Sequence, residues 1–302
     1  HPASLIKLPI AITSLELFSK FEEDYGIDLN TFVHSETCSC DFNTDKYVNN
    51  KMRPNLDILL REMLIMSNND AYNFFFNFSG PTYFNRRMKE LSLNNIILRN
   101  RFYAGCTYQG ANEHGGLYFQ KDNSSNKYKI GCIKDSLKTI EQSLYLNYPN
   151  SRSSNVVSLY SIHRLMIQLF YPQSFNPDFK LFLSSKNLDF LKTTLSSYPN
   201  SLPNYQNIPS HFHKYLMPSA FLNKQNNNIK IYSKNGNAGG YISDVMFLND
   251  EEHKVKYFLS VSMLNYKQKS YYKRRVIYTT PGIDVFRKIS NVLYEYAKKQ
   301  SH

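Results

Sequence analysis

Three short motifs stand in one order along this 302-residue chain: Ser4-Leu5-Ile6-Lys7, Ser67-Asn68-Asn69 and Lys234-Asn235-Gly236. Each falls at the edge of a periodic segment. Pro2-Ala3-Ser4-Leu5-Ile6-Lys7-Leu8 opens an apolar helix. Ser67 separates the amphipathic run Leu56 to Met66 from Asp70-Ala71-Tyr72-Asn73-Phe74-Phe75, a second helix. Lys234 ends the alternating segment Ile229-Lys230-Ile231-Tyr232-Ser233, a strand. If the motifs act together, the fold brings a helix N-terminus, a helix–helix turn and a strand from distant parts of the chain to one place.

The residue types suit the activation of a serine. A serine hydroxyl is a poor nucleophile at neutral pH, so it needs a base within hydrogen-bond reach and N–H donors for the oxyanion that forms. Helical positions i and i+3 share a face, so Lys7 lies one turn from Ser4 and takes its proton if burial and nearby cations favour the neutral amine. Lys234 is such a second cation and attracts a substrate carboxylate. Ser67 relays a proton to the leaving group, and the Asn69 amide holds a substrate carbonyl. Single matches are close to noise, because Ser-x-x-Lys recurs at Ser124/Lys127 and Ser270/Lys273, and Ser-x-Asn at Ser153/Asn155 and Ser185/Asn187. Order and context distinguish the triple.

On these residues the chain resembles the penicillin-recognising serine hydrolases, and among them the class A β-lactamase-like branch. Leu59 to Pro81, reading LLREMLIMSNNDAYNFFFNFSGP, resembles that family's helix, Ser-x-Asn loop, helix and Gly-Gly-Pro-type turn, with Ser79 in place of the first glycine. The C-terminal end is similar too: strand, KNG, Gly239-Gly240, further strands, Thr279-Thr280-Pro281 and a closing helix. The resemblance implies Ser4, Lys7, Ser67 and Lys234 as catalytic residues, with Asn69, Asn235, Gly236 and Asn237 binding substrate. It also implies a β-lactam or peptidoglycan-like acyl substrate, no cofactor or metal, and a periplasmic or otherwise extracytoplasmic location.

Departures from the family pattern shape the expected activity. Asn68 replaces an aspartate and Asn235 a threonine or serine, both still hydrogen-bonding. The family's deacylating glutamate has no counterpart in Arg99-Asn100-Arg101-Phe102-Tyr103-Ala104-Gly105. Glu113 is the nearest acid downstream and is read first as a solvated loop residue, with a role as deacylation base the lesser alternative. Acylation of Ser4 followed by slow deacylation of β-lactams is therefore expected. The alternatives are a class A-type β-lactamase with its base elsewhere, a peptidoglycan DD-peptidase or esterase, and a vestigial cell-wall-binding module. In the resembled family a helix and two sheet strands precede the nucleophile helix; here Ser4 starts the chain, so these are expected to be missing from it.

The segments predict an α+β fold, an antiparallel sheet flanked by helices with an all-helical region. Helices are expected at Ser4 to Tyr25, Asn55 to Met66, Asp70 to Phe78, Tyr83 to Leu91, Asn155 to Phe170, Lys186 to Ser196 and Ile283 to Lys299. Strands are expected at Ile229 to Ser233, Tyr241 to Leu248, Tyr257 to Leu264 and Val276 to Thr279. We read residues 1–302 as one β-lactamase/transpeptidase-like domain, with a helical region at about 20–222 between sheet-forming ends and an extended loop or subdomain at 103–154.

The remaining signals are weaker. The formal net charge of +12 is spread along the chain. Its one dense cluster, Lys267 to Arg275 with Tyr271 and Tyr272, is read as a solvated loop rather than a nucleic-acid site. No apolar run reaches membrane-spanning length. Cys38 and Cys40 lack the paired spacing of a cysteine zinc site. Cys106 and Cys132 form a disulfide or stay as buried thiols. His211 and His213 are read as a surface loop, and His163 as a satisfied boundary histidine. The sequence leaves the oligomeric state open.

Overall fold

The computed structural model describes residues 2–35, 54–102, 117–120, 127–130, 155–209, 211–222, 228–238, 240–264 and 271–301. All four cysteines and Glu113 lie outside these residues, as do the side chains of the Lys267–Arg275 cluster and most of the 103–154 segment. The chain forms two compact units. Residues 7–156 with 181–189 make a helical unit, and residues 1–6, 157–180 and 190–302 make a sheet unit.

In the helical unit, α1 (Lys7–Tyr25) is buried on every side from Lys7 to Ile12. Pro9 is tolerated there because a first-turn residue has no intrahelical N–H partner to lose. Three further helices surround α1: α2 (Leu56–Ile65), α3 (Asn69–Ser79) and α4 (Pro81–Glu90). Helix α3 carries Phe74, Phe75, Phe76 and Phe78, all nearly or fully buried. Phe78 stacks on Phe18 of α1 with ring centroids 4.3 Å apart. Gly80 joins α3 to α4 with φ of 67°, so the turn needs this glycine. Ser79 closes α3, its Oγ donating to the Phe75 carbonyl at 2.8 Å.

An antiparallel sheet in this unit, β1 (Phe32–Ser35), β2 (Leu117–Gln120) and β3 (Lys127–Ile130), has β2 at its centre. It was not among the expected strands. Its four-residue strands are too short for a clear alternation in sequence, yet Leu117 and Phe119 point inward and Phe119 meets Phe18, Phe74 and Phe78 edge-on.

The sheet unit contains α5 (Leu159–Phe170) and receives most of α6 (Ser185–Ser196). Helix α5 starts four residues later than expected, at the N-cap Ser158, whose side chain accepts from Ser161 N. The meander β4 (Ile229–Ala238), β5 (Tyr241–Asp250), β6 (Val255–Leu264) follows, with Gly240 at φ of 87° in its first hairpin. The central strand β5 is buried on both faces. On one face Phe247 and Phe258 stack at 4.4 Å and meet Phe170 of α5. On the other lies the final helix α7 (Tyr271–Gln300), with Phe286 and Tyr294 among Ile242, Met246 and Leu248. A Cβ on Gly282 would come within 2.3 Å of Ile242 Cδ1, so this glycine lets α7 approach the sheet closely.

The architecture is thus α+β, antiparallel sheets flanked by helices, as expected. One strand is corrected: Val276 to Thr279 lies within α7. Its β-branched run favours a strand locally, but the backbone there is continuous with a helix anchored by Phe286, Ser290 and Tyr294 at four-residue intervals.

Candidate active site

Two groups of motif residues are assembled, one within each unit. In the helical unit the Lys7 side chain is fully buried. Its Nζ donates to the Ser67 carbonyl at 2.5 Å and to Asn69 Oδ1 at 2.6 Å, and lies 3.4 Å from Ser67 Oγ. The rings of Phe102 and Tyr72 flank the amine, with centroids 5.3 and 5.9 Å away. Lys7, Ser67 and Asn69 therefore meet, as their motifs suggested, across sixty residues of sequence.

The Ser67 turn is held open by its neighbours. Ser67 has φ of 57°, a left-handed conformation that a serine adopts only where surrounding bonds require it. Asn68 supplies several of them. Its Oδ1 accepts from Asp70 N and Ala71 N as the N-cap of α3, its Nδ2 donates to Glu62 Oε2 at 2.8 Å, and its N–H reaches the Glu62 carbonyl. An aspartate would keep the cap but lose the Nδ2 donor, which explains why asparagine serves here.

The wall behind Lys7 includes residues that the sequence did not single out. Tyr72 Oη donates to the Asn100 carbonyl and accepts from Asn155 Nδ2, while Asn155 Oδ1 receives Arg99 N and Asn100 N. Asn73 holds both the N–H and the carbonyl of Phe102. Residues 99–102 are thereby fastened to α3. Burial pushes the Tyr72 hydroxyl far above its ordinary pKa, so it acts as a neutral hydrogen-bonding group.

In the sheet unit, Ser4 lies in a 3-10 turn, Ala3–Ile6, and not in an α-helix as expected. The turn ends at Ile6, one residue before Lys7 opens α1. Ala3 has φ of 45°, placing backbone strain directly before the serine. The turn packs on β4. A Cβ on Gly236 would lie 2.9 Å from the Pro2 carbonyl oxygen and 3.1 Å from both Ala3 Cβ and Ser4 N. Glycine at this position of the KNG motif lets the strand run against the serine's backbone.

The KNG motif sits inside β4, not at its end, because the register continues through Ala238 opposite Tyr241. Lys234 is almost wholly buried, and its Nζ donates to the Asn235 carbonyl and to Asn235 Oδ1 at 3.1 and 3.2 Å. Asn235 Nδ2 lies 3.2 Å from His213 Nδ1. Asparagine thus uses both ends of its amide where a threonine has one hydroxyl. His213, read from sequence as a surface-loop residue, is half-buried against the motif. His163, by contrast, bonds Ser260 Oγ at 2.7 Å at the α5–β6 boundary, as anticipated. Asn237 follows in β4, half-buried opposite Ile242.

Under the motif lies a buried charged group. Lys214 Nζ donates to the Leu195 and Ile231 carbonyls at 2.8 and 2.7 Å, and Asp244, opposite Asn235 in β5, accepts from Leu216 N. Burial lowers both Lys234 and Lys214 to about 7, against a partial opposing pull from Asp244. Burial likewise raises the Asp244 carboxyl to about 7, with Lys214 and Lys234 acting the other way. Lys234 therefore changes charge near neutrality. Among the described residues no group of three or more His, Cys, Asp or Glu side chains is placed to hold a metal, and no helix is long and apolar enough to cross a membrane.

Comparisons with known proteins agree with this architecture. Residues 1–146 match the family model Beta-lactamase2, described as the β-lactamase enzyme family. No curated protein sequence matches the chain. Among solved structures, PBP-A is similar at a TM-score of 0.53 and 14% identity, over 99% of this chain and 81% of that one. A class A β-lactamase representative from Bacteroides cellulosilyticus is similar at 0.56 and 13%, over 99% and 84%. A class A β-lactamase from Mycobacterium abscessus is similar at 0.56 and 11%, over 97% and 84%. Just under half of the chain is thus similar to the β-lactamase enzyme family, and the whole chain shares its fold with PBP-A and the class A β-lactamases.

Proposed function

We propose that the protein is a serine hydrolase that forms a covalent acyl-enzyme on Ser4, with a β-lactam or a peptidoglycan-like acyl compound as substrate, outside the cytoplasm. The observation that carries the reading is the seating of Lys7. A lysine at 0% exposure is costly unless its N–H groups are bonded. Lys7 Nζ donates to the Ser67 carbonyl and Asn69 Oδ1 and lies 3.4 Å from Ser67 Oγ, so the residue after the first serine's turn is fastened to the second motif.

In the proposed reaction Lys7 takes the Ser4 proton as Oγ bonds to the acyl carbon. The electron pair of the broken acyl C–N or C–O bond goes to the leaving atom, which receives a proton through Ser67 Oγ. Lys234, protonated below about 7, draws a substrate carboxylate toward β4, where Asn235, Gly236 and Asn237 present hydrogen-bonding groups. The Asn69 Nδ2 amide holds the substrate carbonyl. Because residues 99–105 contain no carboxylate to activate water, deacylation is slow and the enzyme resembles a penicillin-binding acyl acceptor more than a turnover β-lactamase.

Labelling with a fluorescent penicillin and with a fluorophosphonate tests this reading. Wild type is expected to take label from at least one probe and Ser4→Ala from neither. Label that persists in Ser4→Ala would move the nucleophile elsewhere.

A further inference from the structure

Within the sheet unit, the amide of Asn235 lies between Lys234 and the imidazole of His213. Lys234 Nζ donates to Asn235 Oδ1 at 3.2 Å, and Asn235 Nδ2 lies 3.2 Å from His213 Nδ1. The lysine fixes the direction of the second bond. An ammonium carries donors and no acceptor, so beside a cationic Lys234 the amide turns its oxygen to Nζ and its nitrogen to the ring. Nδ1 is then the acceptor, which leaves the proton of a neutral His213 on Nε2.

The chain around His213 is fastened to the same strands as the motif. Its neighbour Lys214 is buried and donates to the Leu195 carbonyl and to the Ile231 carbonyl of β4. Leu216 N donates to Asp244 Oδ2 of β5 at 3.0 Å, and Asp244 lies opposite Asn235 in the register. On the other side Phe212 sets its ring edge-on against the imidazole, with centroids 4.5 Å apart, and its N–H bonds the Pro209 carbonyl. Backbone and ring contacts together hold Nδ1 toward Asn235.

We propose that His213 is a positioning residue for the KNG motif: by accepting from Asn235 Nδ2 it keeps Asn235 Oδ1 on Lys234, and so fixes the ammonium that receives a substrate carboxylate. Without that acceptor the amide can exchange its two ends. The exchanged orientation sets donor against donor at a cationic Lys234, which loses a bond inside a buried site. The consequence falls on capture of the carboxylate and not on the chemistry of the serine. The inference takes its substrate from the acyl-enzyme reading and rests on it to that extent, while the bonds themselves lie wholly within the sheet unit.

Labelling kinetics of the full chain with a fluorescent penicillin, which carries a carboxylate, and with an uncharged fluorophosphonate test the proposal. His213→Phe keeps a ring and removes the acceptor. It is expected to raise the penicillin concentration that half-saturates labelling by about 3- to 10-fold, the worth of one hydrogen bond, with a far smaller change in the limiting rate and in fluorophosphonate labelling. His213→Asn, whose Oδ1 is bonded to Cγ as Nδ1 is in the ring, is expected to recover most of that loss. In a Lys234→Gln background His213→Phe is expected to add little, because its effect passes through the lysine. A His213→Phe loss that is absent, shared equally by both probes, not recovered by His213→Asn or fully additive with Lys234→Gln overturns the proposal. Nitrogen NMR of the imidazole at neutral pH reads the bond without any probe: the proton is expected on Nε2, and a neutral ring with its proton on Nδ1 overturns the proposal. A wild type that takes neither label overturns the acyl-enzyme reading instead, and the imidazole spectrum then still decides the role of His213 at Asn235.

Discussion

At the residue scale, the proposed reaction gives two buried lysines different tasks. Lys7→Ala removes the amine proposed to receive the Ser4 proton and is expected to slow acylation by about 10²- to 10⁴-fold, measured as the rate of covalent labelling. In the same proposal Lys234 works through its charge, and the sign of its pH dependence follows from burial. Its ammonium is held down to about 7, so the cation is present below that pH and is lost as pH rises through it. KM for a carboxylate-bearing substrate is therefore expected to rise between mildly acid and mildly alkaline pH relative to that of an uncharged ester. Lys234→Gln should erase the difference between the two substrates, and equal pH profiles in wild type would contradict the assignment. Gly236→Ala probes contact rather than charge. The added Cβ meets the Pro2 carbonyl, Ala3 and Ser4 backbone, so a destabilisation of about 1–3 kcal/mol is expected together with slower labelling of Ser4. An unchanged melting temperature and labelling rate would contradict that packing. The meeting of Lys7 with Ser67 and Asn69 was legible from the residue types and the order of their motifs. Tyr72, Phe102, Asn155, His213, Lys214 and Asp244 were not, because each acquires its meaning from partners distant in sequence, such as Asn155 against Asn100.

At the element scale, the helix–turn–helix around Ser67 turns on a single cap. Asn68→Ala removes the bonds to Asp70 N, Ala71 N and Glu62, and is expected to cost about 1 kcal/mol or somewhat more in denaturant unfolding. Asn68→Asp keeps the cap and should cost less; an equal loss in both would shift the weight to the Glu62 bond. Helices α2, α3, α4 and α6 were legible to within two residues at each end, since their apolar periodicity and caps agree with their final environment. The two ends of the chain were less so. A 3-10 turn and an α-helix share the i, i+3 spacing, so sequence could not tell which holds Ser4. Strand propensity at Val276 to Thr279 yields to the longer helix of which it is part. Strands β1 to β3 offered four residues each, too few to show an alternation.

At the scale of the whole molecule, each unit is tied by a buried polar group as well as by its core. In the helical unit Arg87 of α4 grips Glu16 of α1 through two bonds, 2.8 and 2.9 Å, and Glu16 also accepts Phe182 N. Removing one partner leaves a buried charge alone, so Arg87→Ala is expected to destabilise the protein by about 3–5 kcal/mol in chemical denaturation. A loss below about 1 kcal/mol would show that the pair is solvated. The fold is shared with class A β-lactamases at 11–13% identity among the structures compared. The central claim, an acyl-enzyme on Ser4 that clears slowly, is tested most directly by following intact protein mass after one addition of a penicillin. The account predicts an increase equal to one intact penicillin, reached at one equivalent, persisting long after free drug is exhausted, and absent from Ser4→Ala. Rapid return to the unmodified mass with many penicillins hydrolysed per protein, or an adduct that forms on Ser4→Ala, would contradict it.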